Sequence, residues 1–149
     1  MMVNVSKEIL LVEDNPDDVE LTRIAFAEAG SGHVIRVMTD GAQAVDYLLG
    51  RGEYAGRDIT DLPALILLDL NLPKLNGREV LQAIRENPAT RALPVVVLTT
   101  SAEPMDVGSV YELGANSYIQ KPVEFERFVD VVRQIGLYWL ALNQPPIRP

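Results

Sequence analysis

Glu13, Asp14, Asp69, Thr99 and Lys121 each stand at the end of a short apolar run, and together they could handle a phosphoryl group. Carboxylates gathered at one place repel one another and raise each other's pKa unless a cation lies among them. The natural cation is Mg²⁺, a hard ion that takes oxygen ligands and keeps several waters. Lys121 brings a further positive charge, and the Thr99 hydroxyl can donate a hydrogen bond. Carboxylates, a divalent cation, a lysine and a hydroxyl are the parts needed to position and neutralise a phosphoryl group in transfer. Asp69 is the sharpest signal, because it is flanked by Leu68 and Leu70. A carboxylate beside a buried strand is costly unless it is paired or bound to a metal.

These residues need a frame that brings them to one edge. The apolar runs Ile9–Val12, His33–Met38, Leu65–Leu68, Val95–Leu98 and Tyr118–Ile119 lack polar alternation, the mark of strands buried on both faces. Helical patterns lie between them. Asn15 is an N-cap followed by Pro16, with Asp17 and Asp18 suited to the positive end of the helix dipole. That helix turns Leu21, Ile24 and Ala25 inward and stops at Gly30. Further helices are expected over Gly41–Leu49, Arg78–Glu86 and Pro104–Leu113, and from near Val123 towards Leu142. Strand and helix alternating five times predicts an α/β fold with a doubly wound five-stranded parallel sheet. In such sheets ligands bind beyond the carboxyl ends of the strands, where the named residues fall. The polar stretch Gly50–Pro63 is longer than an ordinary connection.

The 149 residues suit one domain, read as a tail over 1–7, a folded unit over 8–142 and a flexible C-terminal tail over 143–149. With 48% hydrophobic and 23% charged residues the chain is globular rather than disordered. The absence of cysteine excludes disulfides, thiolate metal sites and cysteine nucleophiles. The net charge of −8 argues against nucleic-acid binding, which depends on Lys and Arg neutralising phosphate. No run approaches the ~18 apolar residues of a membrane helix, and no signal-peptide pattern is seen, so a cytoplasmic location is expected.

The motifs Leu-Val-Glu13-Asp14-Asn, Leu-Leu-Asp69-Leu-Asn71-Leu-Pro73, Val-Leu-Thr99 and Tyr118-Ile-Gln-Lys121-Pro122 resemble the receiver domain of two-component response regulators. The likeness runs from about Ile9 to Leu140. It implies the flavodoxin-like (βα)5 fold and Asp69 as the residue phosphorylated by a sensor histidine kinase. It implies Mg²⁺ held by Asp14, Asp69 and the Asn71 backbone carbonyl, with Glu13 acting mostly through water. Thr99 and Lys121 would hold the aspartyl phosphate, Tyr118 would be the aromatic whose rotamer reports it, and the bond before Pro122 would be cis. Within the family, Glu13-Asp14-Asn15-Pro16, Leu70-Asn71-Leu72-Pro73-Lys74, Leu98-Thr99-Thr100-Ser101 and Ile135-Gly136-Leu137-Tyr138-Trp139-Leu140 resemble stand-alone regulators partnered with bacterial and cyanobacterial phytochromes. That likeness implies a phytochrome as the kinase and a signalling surface on the fourth helix, fifth strand and fifth helix.

Other readings remain open at this point. A haloacid-dehalogenase-like phosphatase also uses a strand-end Asp, but wants an acid two residues on, where Asn71 cannot give a proton. A non-phosphorylated pseudo-receiver acting as a dimer scaffold is the third. Thr100 and Ser101 read as local hydrogen-bonding residues, and His33 has no catalytic case. Phe125, Phe128, Val132, Ile135, Trp139 and Leu142 form one helical stripe, and Ile135–Leu142 carries no charge on any face. That much apolar surface predicts a homodimer through this helix, with Phe128, Ile135, Tyr138 and Trp139 at the interface.

Overall fold

The computed structural model describes residues 8–29, 32–101 and 103–145. Five parallel strands form one sheet: β1 (Glu8–Val12), β2 (Val34–Met38), β3 (Leu65–Leu68), β4 (Val95–Thr99) and β5 (Ser117–Gln120), in the order β2-β1-β3-β4-β5. The helices are α1 (Pro16–Ala29), α2 (Gly41–Leu49), α3 (Gly77–Glu86), α4 (Pro104–Glu112) and α5 (Phe125–Gly136). The expected Gly30 stop and the 1–7 and 146–149 ends lie outside the described residues.

The unpatterned apolar runs follow from burial on both faces. Leu10, Val12, Ile66, Leu68, Val95 and Val97 face one core, under α2 and α3. Their neighbours Ile9, Leu11, Leu65, Leu67, Val96 and Leu98 face the other, under α1 and α5. Every residue of β3 and β4 is buried, whereas the edge strands β2 and β5 are partly open. On α1 the inward residues are Thr22, Ala25 and Phe26, with Leu21 and Ile24 half-buried. Phe26 takes the larger share because α5 approaches it closely. A Cβ on Gly136 would stand 2.7 Å from the Phe26 ring.

Local signals end the elements as their chemistry predicts. Asp40 caps α2 by accepting from Gln43 N, and Gly50 closes it in the left-handed region at φ 67°. Asn76 and Glu79 make a reciprocal capping box at the start of α3. The long connection after α2 is held by aromatic and cation contacts. Tyr54, in a short 3₁₀ turn, meets Tyr47 edge-on at 5.2 Å, and the Arg57 guanidinium covers the Tyr47 ring at 4.0 Å.

The fifth helix departs from expectation in two ways. It begins at Phe125, and from Leu137 to Leu142 it is wound as a π-helix, with Asn143 N donating to Tyr138 O. The wider turn rotates the following side chains away from the 3.6-residue stripe, so Leu142 is exposed. The interface expectation needs correcting accordingly. Phe128 and Ile135 are buried in the core against α1 and the sheet, so neither can face a second molecule. Trp139 packs partly against that core, and Tyr138 stands exposed beside it, ring to ring at 5.0 Å.

Candidate functional site

Strand order brings the acidic residues together. β1 and β3 are neighbours, with Val12 opposite Leu68, and the connections from the two strands diverge at this point. Glu13 and Asp69 each continue one residue beyond their strands: Glu13 N donates to Met38 O at 2.9 Å and Asp69 N to Val12 O at 3.1 Å. Both side chains are buried, while Asp14 turns outward to solvent. Ligand oxygens of Glu13, Asp14 and Asp69 lie within 4.8 Å of one another. An all-oxygen carboxylate set of this kind suits a hard divalent cation.

Asn71 lies two residues beyond Asp69, its N–H donating to Asp69 Oδ1 at 3.4 Å. Gly77 closes the same loop from above. Its N–H donates to Leu70 O at 2.9 Å, and a Cβ there would stand 2.3 Å from Asp69 O. Only a residue without a side chain lets α3 start so close to the acidic loop.

β4 and β5 supply the remaining parts. Thr99 is wholly buried, and its Oγ1 has no hydrogen-bond partner among the described residues. A buried hydroxyl left unpaired costs about 1–3 kcal/mol, so its retention points to a ligand. Lys121 N donates to Thr99 O at 2.6 Å, carrying the β4–β5 pairing to the site. The Lys121 ammonium is buried among carboxylates, 2.6 Å from Glu13 Oε2, 2.8 Å from Asp18 Oδ2 and 3.3 Å from Asp69 Oδ2. Asp18, read from sequence only as a helix-dipole acid, is therefore a member of the site.

Charge balance here is tight. Burial pushes the Glu13 carboxyl up to about 7, with the Asp69 charge adding, although Lys121 and the Asn15 N–H pull it down. Burial works to lower Lys121, but its bonds to Asp18 and Glu13 and the charges of Glu13 and Asp69 prevail, so it titrates above the ordinary lysine range. A carboxyl raised on folding stabilises fully below its unfolded value of 4.5, and that stability is lost as pH rises through about 7. In chelating buffer, wild type should therefore lose about 2–3 kcal/mol between pH 4.5 and 8 through this group. Thermal denaturation of Glu13→Gln should show that slope removed; an unchanged slope assigns it elsewhere.

A response regulator receiver domain model matches residues 9–133. The chain belongs to the response regulator receiver family. It is 44% identical over 138 residues to the probable methanogenesis regulatory protein FilR2 of Methanothrix harundinacea, covering 93% of this chain and 86% of that one. It is 42% identical to the response regulator Rcp1 of Synechocystis, over 92% of this chain and 91% of the relative. Among solved structures, the phosphorylated cyanobacterial phytochrome response regulator RcpA superposes with a TM-score of 0.89 at 40% identity, covering 96% of this chain and all of the other. The Mn²⁺-bound form of Rcp1 gives 0.86, also at 40% identity, over 94% and 99%. The receiver is thus a signalling module of two-component systems, similar to single-domain phytochrome response regulators.

The receiver geometry differs from the family expectation at Pro122. The Lys121–Pro122 peptide bond is trans, as are all peptide bonds among the described residues. Trans is the intrinsically favoured X–Pro form by about 0.5–1 kcal/mol, and Lys121 reaches the carboxylates from it. Tyr118 is half-buried on the β5 edge and donates through its hydroxyl to Ser101 O at 2.7 Å. Ser101 Oγ in turn donates to Asp106, which pairs with Arg78 of α3. The Ser101 hydroxyl is thus a local hydrogen-bonding group as expected, while at Thr100 it is the backbone carbonyl that accepts, from Gln120 Nε2 at 3.3 Å. No helix among the described residues is long and apolar enough to cross a membrane.

Proposed function

We propose that this protein is a cytoplasmic single-domain response regulator that accepts a phosphoryl group on Asp69 from a sensor histidine kinase, a phytochrome. The observation that carries the reading is the convergence on Asp69. It is a buried carboxylate clustered with Glu13 and Asp14 and 3.3 Å from the Lys121 ammonium. Likeness to RcpA, solved in a phosphorylated form, and to other phytochrome regulators supports the acceptor role and the kinase class.

Glu13, Asp14, Asp69 and the Asn71 carbonyl would hold Mg²⁺, a choice supported by the Mn²⁺-bound relative and the all-oxygen donor set. When bound, the ion neutralises charge on the transferring phosphoryl oxygens. Asp69 supplies the attacking carboxylate oxygen and Lys121 a donor to the phosphoryl oxygens. The Thr99 hydroxyl, without a partner among the described residues, gains an acceptor once Asp69 is modified. Tyr118, two residues' reach from Thr99 through Ser101, then transmits the change to the face made by α4, β5 and α5. Hydrolysis of the aspartyl phosphate returns the resting state slowly, with no other turnover. Exposed Leu137, Tyr138 and Leu142 just beyond α5, with exposed Phe125 at its start, support a homodimer through that helix.

The test is labelling of the full chain by acetyl phosphate, and by phosphorylated phytochrome kinases, followed by intact mass. Labelling requires Mg²⁺ and disappears with chelator. An unlabelled but dimeric protein would favour the scaffold reading. Steady turnover of small phosphate esters would favour the phosphatase, against which Asn71 stands.

A further inference from the structure

The Lys121 ammonium is bound by three carboxylates, and one of them belongs to no part of the acceptor cluster. Its distances are 2.6 Å to Glu13, 2.8 Å to Asp18 and 3.3 Å to Asp69. An ammonium has three N–H donors, so all are engaged, and the longest contact is to the residue that would carry the phosphoryl group. Glu13 and Asp69 share the acidic cluster with Asp14, and Asp18 stands outside it. Asp18 is also firmly mounted. Its N–H lies 3.4 Å from the Asn15 cap oxygen, and its carbonyl accepts from Thr22 Oγ1 at 2.7 Å. Asp18 also lies in the first turn of α1, where the helix dipole favours a carboxylate.

We propose that Asp18 competes with the phosphoryl group on Asp69 for Lys121, and so sets how tightly the modified state is held. The proposal rests on Asp69 being the acceptor. Two effects point the same way. Lys121 can turn a donor to the phosphoryl oxygens only by loosening a present bond, and the Asp18 bond is the one that no metal ion would take over. Phosphorylation also adds about 1.5–2 negative charges, and Asp18 holds another negative charge on the far side of the same ammonium. Removing Asp18 therefore frees a donor and relieves repulsion together. A supporting role would give the opposite sign, since Lys121 would lose an anchor.

Beryllofluoride, a non-covalent phosphoryl mimic, is titrated into the full chain at saturating Mg²⁺ and followed by amide chemical shifts. Asp18→Ala should bind the mimic about 3–10-fold more tightly than wild type, the scale of one charge-assisted contact. The isosteric Asp18→Asn should shift affinity in the same direction and serves if the alanine variant folds poorly. Asp17→Asn removes an equal charge from the exposed neighbour, which does not touch Lys121, and should leave affinity unchanged. In a Lys121→Met background, Asp18→Ala should have no effect, because the coupling passes through the ammonium. Equal or weaker binding by both Asp18 variants overturns the proposal. So does an Asp17→Asn gain matching that of Asp18→Ala, or a gain that survives Lys121→Met. A wild type that binds no beryllofluoride overturns the acceptor reading itself, and this inference with it.

Discussion

Asp69→Asn is expected to abolish phosphoryl labelling while leaving the fold intact. The amide has the size of the carboxylate but lacks the anionic oxygen that must attack phosphorus. Asp69 lies between buried Leu68 and Leu70 with its backbone N–H bonded to Val12 O. Substitution leaves that bond in place and removes one of three clustered negative charges. The metal-free variant should thus match or exceed wild-type stability, within about 1 kcal/mol, because repulsion falls and the lost Lys121 contact is the longest of three. Divalent-metal affinity should drop at least ~10-fold, as one charged ligand is gone. Intact mass after acetyl phosphate treatment, a melting curve and a Mg²⁺ titration check the three parts. Labelling at the wild-type level would move the acceptor elsewhere.

Lys121→Met is expected to give the largest stability loss. Methionine fills the same channel, but Glu13 and Asp69 would remain buried beside each other with no cation. Breaking a buried pair from one side typically costs 3–5 kcal/mol, and about 3 kcal/mol is expected in chelator at pH 8. Glu13 already titrates near 7 and can escape its charge by taking a proton. The loss should therefore shrink at pH 5.5. Saturating Mg²⁺ should recover part of it at pH 8 by binding only the folded state. Denaturant melts at both pH values, with and without the ion, decide the matter. A loss independent of pH and metal would show that Lys121 acts through packing alone.

The sheet was legible because parallel strands covered on both faces must be apolar throughout, and Leu65–Leu68 and Val95–Thr99 are buried at every position. The acidic cluster at Glu13, Asp14 and Asp69 was legible for a related reason: a charge directly after such a strand has little structural use. Asp18 was not, because its role depends on α1 and the end of β5 meeting in space, 103 residues apart. Read locally, it is an ordinary first-turn acid. Phe128 and Ile135 show the complementary limit. An apolar stripe states that a helix buries one face, but Phe26 and the sheet, rather than a second molecule, cover this one.

The hydrogen bond from Tyr118 to Ser101 O joins an edge-strand side chain to the segment after Thr99 in one chain of contacts, extended through Asp106 to Arg78 on α3. Any coupling through it obeys thermodynamic reciprocity. If modification of Asp69 alters how well the β5 edge binds a partner, that partner must alter the equilibrium constant for modifying Asp69 by the same factor. A target seated there is then also an effector of the site. On that linkage, the equilibrium extent of modification would rise or fall with the amount of target bound.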